Sequence, residues 1–145
     1  MLKIMLKGIP HILPPDLLKI LMEMGHGDEI VLADSNFPAA SHAQRLVRCD
    51  GVAIPPLLGA VLQLFPLDPY VKHPAGLMAI VSGDTYKPEI WPVYQKTVKK
   101  HERRFPGFEM VERFAFYERA KKAYAIVATG ETARYANIIL KKGVL

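Results

Sequence analysis

The sequence predicts an α/β fold: a single three-layer domain over residues 1–145, with a mixed β-sheet flanked by helices. Three observations lead there. Short, β-rich apolar runs alternate with segments of helical periodicity, the pattern of strands linked by packing helices. Twelve prolines sit mostly singly at the edges of apolar runs and mark where elements begin and end. The later strand-like runs are separated by few residues, so some pairs are antiparallel and the sheet is mixed. With 145 residues, half of them apolar and 23% charged, the chain can bury one core, which excludes wholesale disorder.

A first helix is predicted over 15–24. Pro15 suits a first turn, Asp16 complements the positive end of the helix dipole, and Leu17, Leu18, Leu21, Met22 and Met24 make the apolar stripe. Gly25 stands where a left-handed cap belongs. The run 29–34 is short and almost continuously apolar, as in a strand covered on both faces. A second strand is expected over 46–49. Pro55 and Pro56 open a second helix through 65, and 77–81 reads as a third strand. A longer amphipathic helix runs from 88 to about 104, with Pro92 tolerated in its first turn. Strands at 110–113, 124–128 and 137–140 and a short helix at 116–122 complete the reading.

The composition narrows the function classes. No stretch of about 18 uncharged apolar residues occurs, so no spanning helix is expected. The apolar stretch near the N-terminus is broken by Lys7 and no small-residue cleavage site follows, so no signal peptide is read. The single Cys49 excludes an internal disulfide and a multi-cysteine metal cluster, and a reducing, cytoplasmic setting is expected. Between positions 95 and 122 there are nine basic residues (Lys96, Lys99, Lys100, Arg103, Arg104, Arg113, Arg119, Lys121, Lys122) against four acidic ones. Nine minus four equals the entire net charge of +5. A nucleic-acid surface and a solvated helix face both fit this segment. The aromatics do not alternate with the basic residues as a base-stacking platform requires, so no nucleic-acid partner is expected.

The most distinctive local sequence is Gly25-His26-Gly27-Asp28-Glu29, between a helix end and a strand start. Two glycines leave the His26 ring uncrowded on a tight turn. An exposed turn histidine reads equally well, and Asp28 reads better as a turn cap than as a catalytic group. Asp34 ends the following strand, where ligands of open α/β sheets bind, although a polar strand terminus explains it as well. Dinucleotide, phosphate-loop and Gly-x-Ser-x-Gly patterns are missing. No histidines are paired at i, i+4, and a His26/Asp28/Asp34 metal set is the weakest of the readings, so no metal is expected. A second polar group lies around Arg113 and at Tyr135-Ala136-Asn137. Ordinary roles compete there too: Arg113 could pair with Glu112 or Glu118, Tyr135 could be half-buried core, and Asn137 could hold a turn.

Taken together, several blocks resemble one family. They are Met24-Gly25-His26-Gly27-Asp28-Glu29-Ile30, Asp34, Phe37-Pro38, Gly83-Asp84-Thr85, Arg113-Phe114-Ala115-Phe116-Tyr117-Glu118-Arg119-Ala120, Thr129-Gly130-Glu131 and the run from Tyr135 to Gly143. In order and over nearly the whole chain, they resemble the RbsD/FucU sugar mutarotase family, which includes L-fucose mutarotase and D-ribose pyranase. The resemblance implies an isomerase that interconverts anomers or ring forms of a free monosaccharide without a cofactor. It implies His26 as the acid/base residue, with Asp34, Arg113, Tyr135, Ala136 and Asn137 holding the sugar. Arg113 favours the L-fucose branch, since the ribose type carries His there. Ser35-Asn36 departs from the family pattern beside Asp34. The resemblance further implies a homo-oligomeric ring, often two stacked pentamers making a decamer, with sites near subunit contacts. The second proton partner stays open between Tyr135 and a water. A D-ribose or other monosaccharide mutarotase and a non-catalytic sugar-binding accessory protein are the alternatives.

Overall fold

In chain order the elements are α1 (Pro15–Glu23), β1 (Glu29–Ala33), α2 (Ala39–His42), β2 (Leu46–Cys49), α3 (Ile54–Leu62), β3 (Ala75–Met78), α4 (Ile90–His101), β4 (Glu109–Val111), α5 (Arg113–Lys122), β5 (Ala125–Thr129) and β6 (Ile138–Lys141). They come from a computed structural model that describes residues 5–145; the apolar stretch read near the N-terminus lies partly outside these residues.

The strands form one sheet in the order β2-β5-β1-β6-β3-β4. β5 runs parallel to both β1 and β2, and β3 runs parallel to β4. β6 is antiparallel to β1 and to β3. The mixed sheet is therefore five strands in one direction and β6 reversed. Alternate side chains feed two cores. Ile30, Leu32, Val127, Ile138 and Leu140 pack with α1, α3 and α4 on one face. Val31, Ala33, Ile126 and Ile139 pack with α2 and α5 on the other. Burial on both faces is why β1 reads as a continuous apolar run. The architecture is the expected three layers.

Several boundaries differ from the sequence reading, each for a local reason. The chain leaves α1 at Met24 in an extended conformation, so no left-handed cap forms at Gly25. The left-handed residue is Gly27 (φ +89), whose N–H donates to the Lys142 carbonyl at 2.8 Å. α5 begins at Arg113, three residues before the expected start, because the Glu112 carboxylate accepts the Phe114 and Ala115 N–H groups at 3.0 Å and caps it. β4 accordingly stops at Val111, and Arg113 lies on a helix, not on the expected strand. β3 lies two to three residues earlier than read, since its neighbour β6 starts at Ile138 and offers no partner beyond Leu77. α2, with 4 residues, is too short to show periodicity and was not foreseen.

The basic segment does not form one patch. α4 packs on one face of the sheet and α5 on the other, which separates its cations. No helix of the described residues is long and apolar enough to cross a membrane.

Candidate functional site

The strand directions gather one set of chain segments at one edge of the sheet. Asp34 follows β1, Val81 lies beyond β3, Arg113 follows β4 and residues 130–135 follow β5. Asn137 immediately precedes the reversed β6. Between them opens a cleft of about 290 Å³, lined by Asp34, Arg113, Tyr117, Arg134, Tyr135 and Asn137, among others. Four of the predicted site residues thus meet at the carboxyl ends of parallel strands, as the placement of Asp34 anticipated.

Each is held by a specific partner. The Asp34 N–H donates to Asn137 Oδ1 at 2.7 Å, and Asp34 Oδ1 accepts the Asn36 N–H at 3.0 Å. Burial pushes the Asp34 carboxyl above its ordinary range, only partly offset by the Asn36 and Phe37 N–H groups and by Asn137. Gly130 lets the loop after β5 reach this edge: its N–H donates to the Val52 carbonyl, and a Cβ there would run into the Asp50 carbonyl oxygen.

Arg113 pairs with neither Glu112 nor Glu118. Its Nε donates to the Tyr117 hydroxyl at 3.3 Å, a bond that raises the guanidinium pKa further. Tyr135 adopts a left-handed backbone (φ 57), uncommon for a residue with a Cβ. Two donors from α4 fix this stretch. Trp91 Nε1–H bonds the Tyr135 carbonyl at 2.8 Å, and the buried Tyr94 hydroxyl bonds the Ala136 carbonyl at 2.7 Å. Ala136 itself is fully buried and is not among the residues that line the cleft.

His26 stands elsewhere. It precedes β1, whereas Asp34 follows it, and a five-residue strand rising about 3.3 Å per residue puts roughly 13 Å between its ends. His26 is therefore at the opposite edge of the sheet, beside the end of β6. The Asp68 carboxylate, 4% exposed, meets His26 Nε2 at 3.1 Å and accepts the Tyr70 N–H at 3.0 Å. Burial opposes the charge on Asp68, but the Tyr70 N–H and His26 outweigh it and hold the carboxyl below its ordinary range. An ionised Asp68 places the imidazole proton on Nε2 and leaves the basic lone pair on Nδ1. The exposed Tyr70 ring stands edge-to-face to the imidazole at 5.6 Å. Asp28 caps its own turn, its Oδ2 accepting the Gly25 N–H at 2.8 Å. A His26/Asp28/Asp34 set is not assembled.

The family model described as the RbsD / FucU transport protein family matches residues 7–145. The chain belongs to this family. Among its relatives in the family, L-fucose mutarotase of Actinobacillus pleuropneumoniae (strain L20) is 51% identical over 140 residues, 97% of each chain. The fucose mutarotase of Homo sapiens is 52% identical over 146 residues, covering 97% of this chain and 94% of the relative. The crystal structure of the fucose mutarotase from Streptococcus pneumoniae in complex with L-fucose matches with a TM-score of 0.93 and 58% identity. That match covers 97% of this chain and 99% of the other. The RbsD/FucU resemblance read from the sequence is thereby confirmed.

The sequence reading missed Asp68, Tyr117, Trp91 and Tyr94. Tyr117 lay inside a quoted block, but its role depends on the helix that brings its hydroxyl to Arg113. Nothing local marks the others.

The raised pKa of Asp34 gives a stability prediction. A carboxyl whose folded pKa lies above its unfolded one contributes stability that is present at low pH and lost as pH rises through the folded value. Asp34→Asn removes that cost. At neutral pH the variant is expected to melt a few degrees above wild type, the scale on which about 1 kcal/mol shows in a chain of this size. The difference should vanish in acid, where Asp34 is protonated anyway. Thermal melts at both pH values check it; a variant that melts lower at neutral pH contradicts it.

Proposed function

We propose that this protein is an L-fucose mutarotase, an isomerase that interconverts the α and β anomers of free L-fucose by general acid–base ring opening and closing. One observation carries the reading: hydroxyl-binding groups converge in the strand-end cleft of a chain 58% identical to a fucose mutarotase crystallised with L-fucose. Asp34 accepts from sugar hydroxyls, Asn137 donates and the Arg113 guanidinium donates in fixed directions, which suits a ring with several hydroxyls. The position of Arg113 supports fucose over ribose.

Ring opening takes a proton from the anomeric hydroxyl and gives one to the ring oxygen; closure on the other face reverses both. No group or electron is transferred elsewhere, so two proton-exchanging side chains suffice. His26 is the first, through Nδ1, with Asp68 fixing its tautomer and orientation. Two phenols reach the cleft as candidates for the second. The Tyr135 hydroxyl donates to Asp84 at 2.6 Å, so its proton is committed. The Tyr117 hydroxyl accepts from Arg113, and no group among the described residues takes its proton. Tyr117 therefore fills the role left open between Tyr135 and water.

Within one chain His26 cannot reach a sugar bound beside Asp34. The reading therefore requires that one subunit supplies the cleft and another supplies His26, in a homo-oligomeric ring such as the stacked pentamers the resemblance implies. Exposed Val81 and Phe114 at the cleft rim and exposed Tyr70 beside His26 give both edges apolar surface to bury against a second copy. The free, buried Cys49 is consistent with a cytoplasmic setting.

The sugar assignment is tested by comparing enzyme-dependent exchange for L-fucose, D-ribose and D-galactose. L-fucose is expected to exchange fastest. Acceleration confined to D-ribose would move the assignment to a pyranase, and saturable binding with no acceleration would make this a sugar-binding accessory protein.

A further inference from the structure

The segment 81–86 leaves the cleft at Val81, and Asp84 ties it back to the cleft residues Arg134 and Tyr135. Asp84 Oδ2 accepts the Tyr135 hydroxyl at 2.6 Å and the Arg134 guanidinium at 2.8 Å, and Oδ1 accepts the Tyr86 N–H at 2.9 Å. The Val81 N–H adds a 3.3 Å bond to the Tyr135 oxygen. The Tyr86 ring stacks on the Tyr135 ring at 6.2 Å and 21°, and the Arg134 guanidinium covers Tyr86 at 4.4 Å. Tyr135, Arg134 and Val81 line the cleft. These bonds, with the Trp91 bond to its carbonyl, offset the cost of the left-handed backbone at Tyr135.

A phenol has one proton and two lone pairs. The proton goes to Asp84 and one lone pair to Val81, so a single lone pair remains for the sugar. We infer that Asp84 is a positioning residue that takes the Tyr135 proton and thereby makes this hydroxyl an acceptor toward one substrate hydroxyl. The chain's selectivity at that hydroxyl is then for a donor. Asp84 does not touch the sugar; it acts through Tyr135. The Tyr135 bond also holds the Asp84 carboxyl below its ordinary range, so it is ionised wherever the enzyme operates. The inference rests on the functional reading above, since the ligand of the cleft is taken as L-fucose.

The bond to a remote hydroxyl is the same in the bound sugar and during ring opening, so its loss raises KM and leaves kcat alone. Asp84→Asn and Tyr135→Phe are each expected to raise KM for L-fucose about tenfold with kcat within about twofold, the size of one hydrogen bond to an uncharged group. The double variant should be no worse than either single one, because both remove the same bond. A KM unchanged in Asp84→Asn while Tyr135→Phe raises it, losses that multiply, or a fall in kcat alone would overturn the inference. A second measurement needs no Asp84 variant. At the sugar position whose deoxygenation weakens binding to wild type but not to Tyr135→Phe, fluorine is expected to weaken binding as much, because fluorine cannot donate. A deoxyfluoro sugar that binds wild type as well as L-fucose does would overturn it. Wild-type protein that fails to exchange L-fucose anomers defeats the functional reading and this one together; normal wild-type exchange with an unaltered Asp84→Asn defeats this one alone.

Discussion

His26→Ala is expected to lower the enzyme-dependent anomer exchange of L-fucose about 10²–10⁴-fold, the contribution of one positioned acid–base group. Binding should change little, since the residues proposed to hold the sugar lie at the other edge of the sheet. The substitution removes a half-exposed ring from a turn, so no cavity opens in either core, and the variant should fold. The loss arises because ring opening needs two proton-exchanging groups, and without His26 the Tyr117 hydroxyl is left to work with water alone. Full exchange in His26→Ala would remove the residue from the mechanism and leave the Asp68 contact as a structural tether.

The proposed division of the site between subunits has a large and distinctive consequence. His26→Ala and Asp34→Ala should each be inactive as pure assemblies, the first for want of a proton shuttle and the second for want of a hydroxyl acceptor. Co-expressed as one mixed assembly they should recover activity. A cleft with intact Asp34 then meets a neighbour with intact His26 at about one site in four under random head-to-tail assembly, so about a quarter of wild-type activity should return. Differently tagged subunits, purified through both tags and assayed for exchange, give the answer. Mixed assemblies as inactive as the parents would mean that His26 and the cleft do not belong to one site.

The layout of the fold was legible because its strongest signals are local. The continuous apolar run of β1 reports burial on both faces, and the prolines in the first turns of α1 and α3 mark helix starts within a residue or so. Arg113 was misplaced on a strand because the short run Met110-Val111-Glu112-Arg113 carries no local mark of where the strand stops, and only the fold shows Glu112 turning to cap α5. Asp34, Arg113, Tyr135 and Asn137 were legible as a set through the family blocks and through the position of Asp34 at a strand end. The residues that position them were not. Asp68 meets His26 across 42 residues, Tyr94 meets Ala136 across 42, and Asp84 meets Tyr135 across 51. Such pairs leave no trace in spacing or periodicity. The nearness of His26 to Asp34 in sequence misleads in the opposite sense, since an extended strand carries the two to opposite edges of the sheet.

The central claim is the exchange reaction itself. Magnetisation transfer between the α and β anomer signals of L-fucose, measured by NMR with and without the protein, tests it most directly. The account predicts exchange far faster than in buffer, saturable in sugar and present without added metal or cofactor. Exchange no faster than in buffer, from folded protein that binds L-fucose, would contradict it.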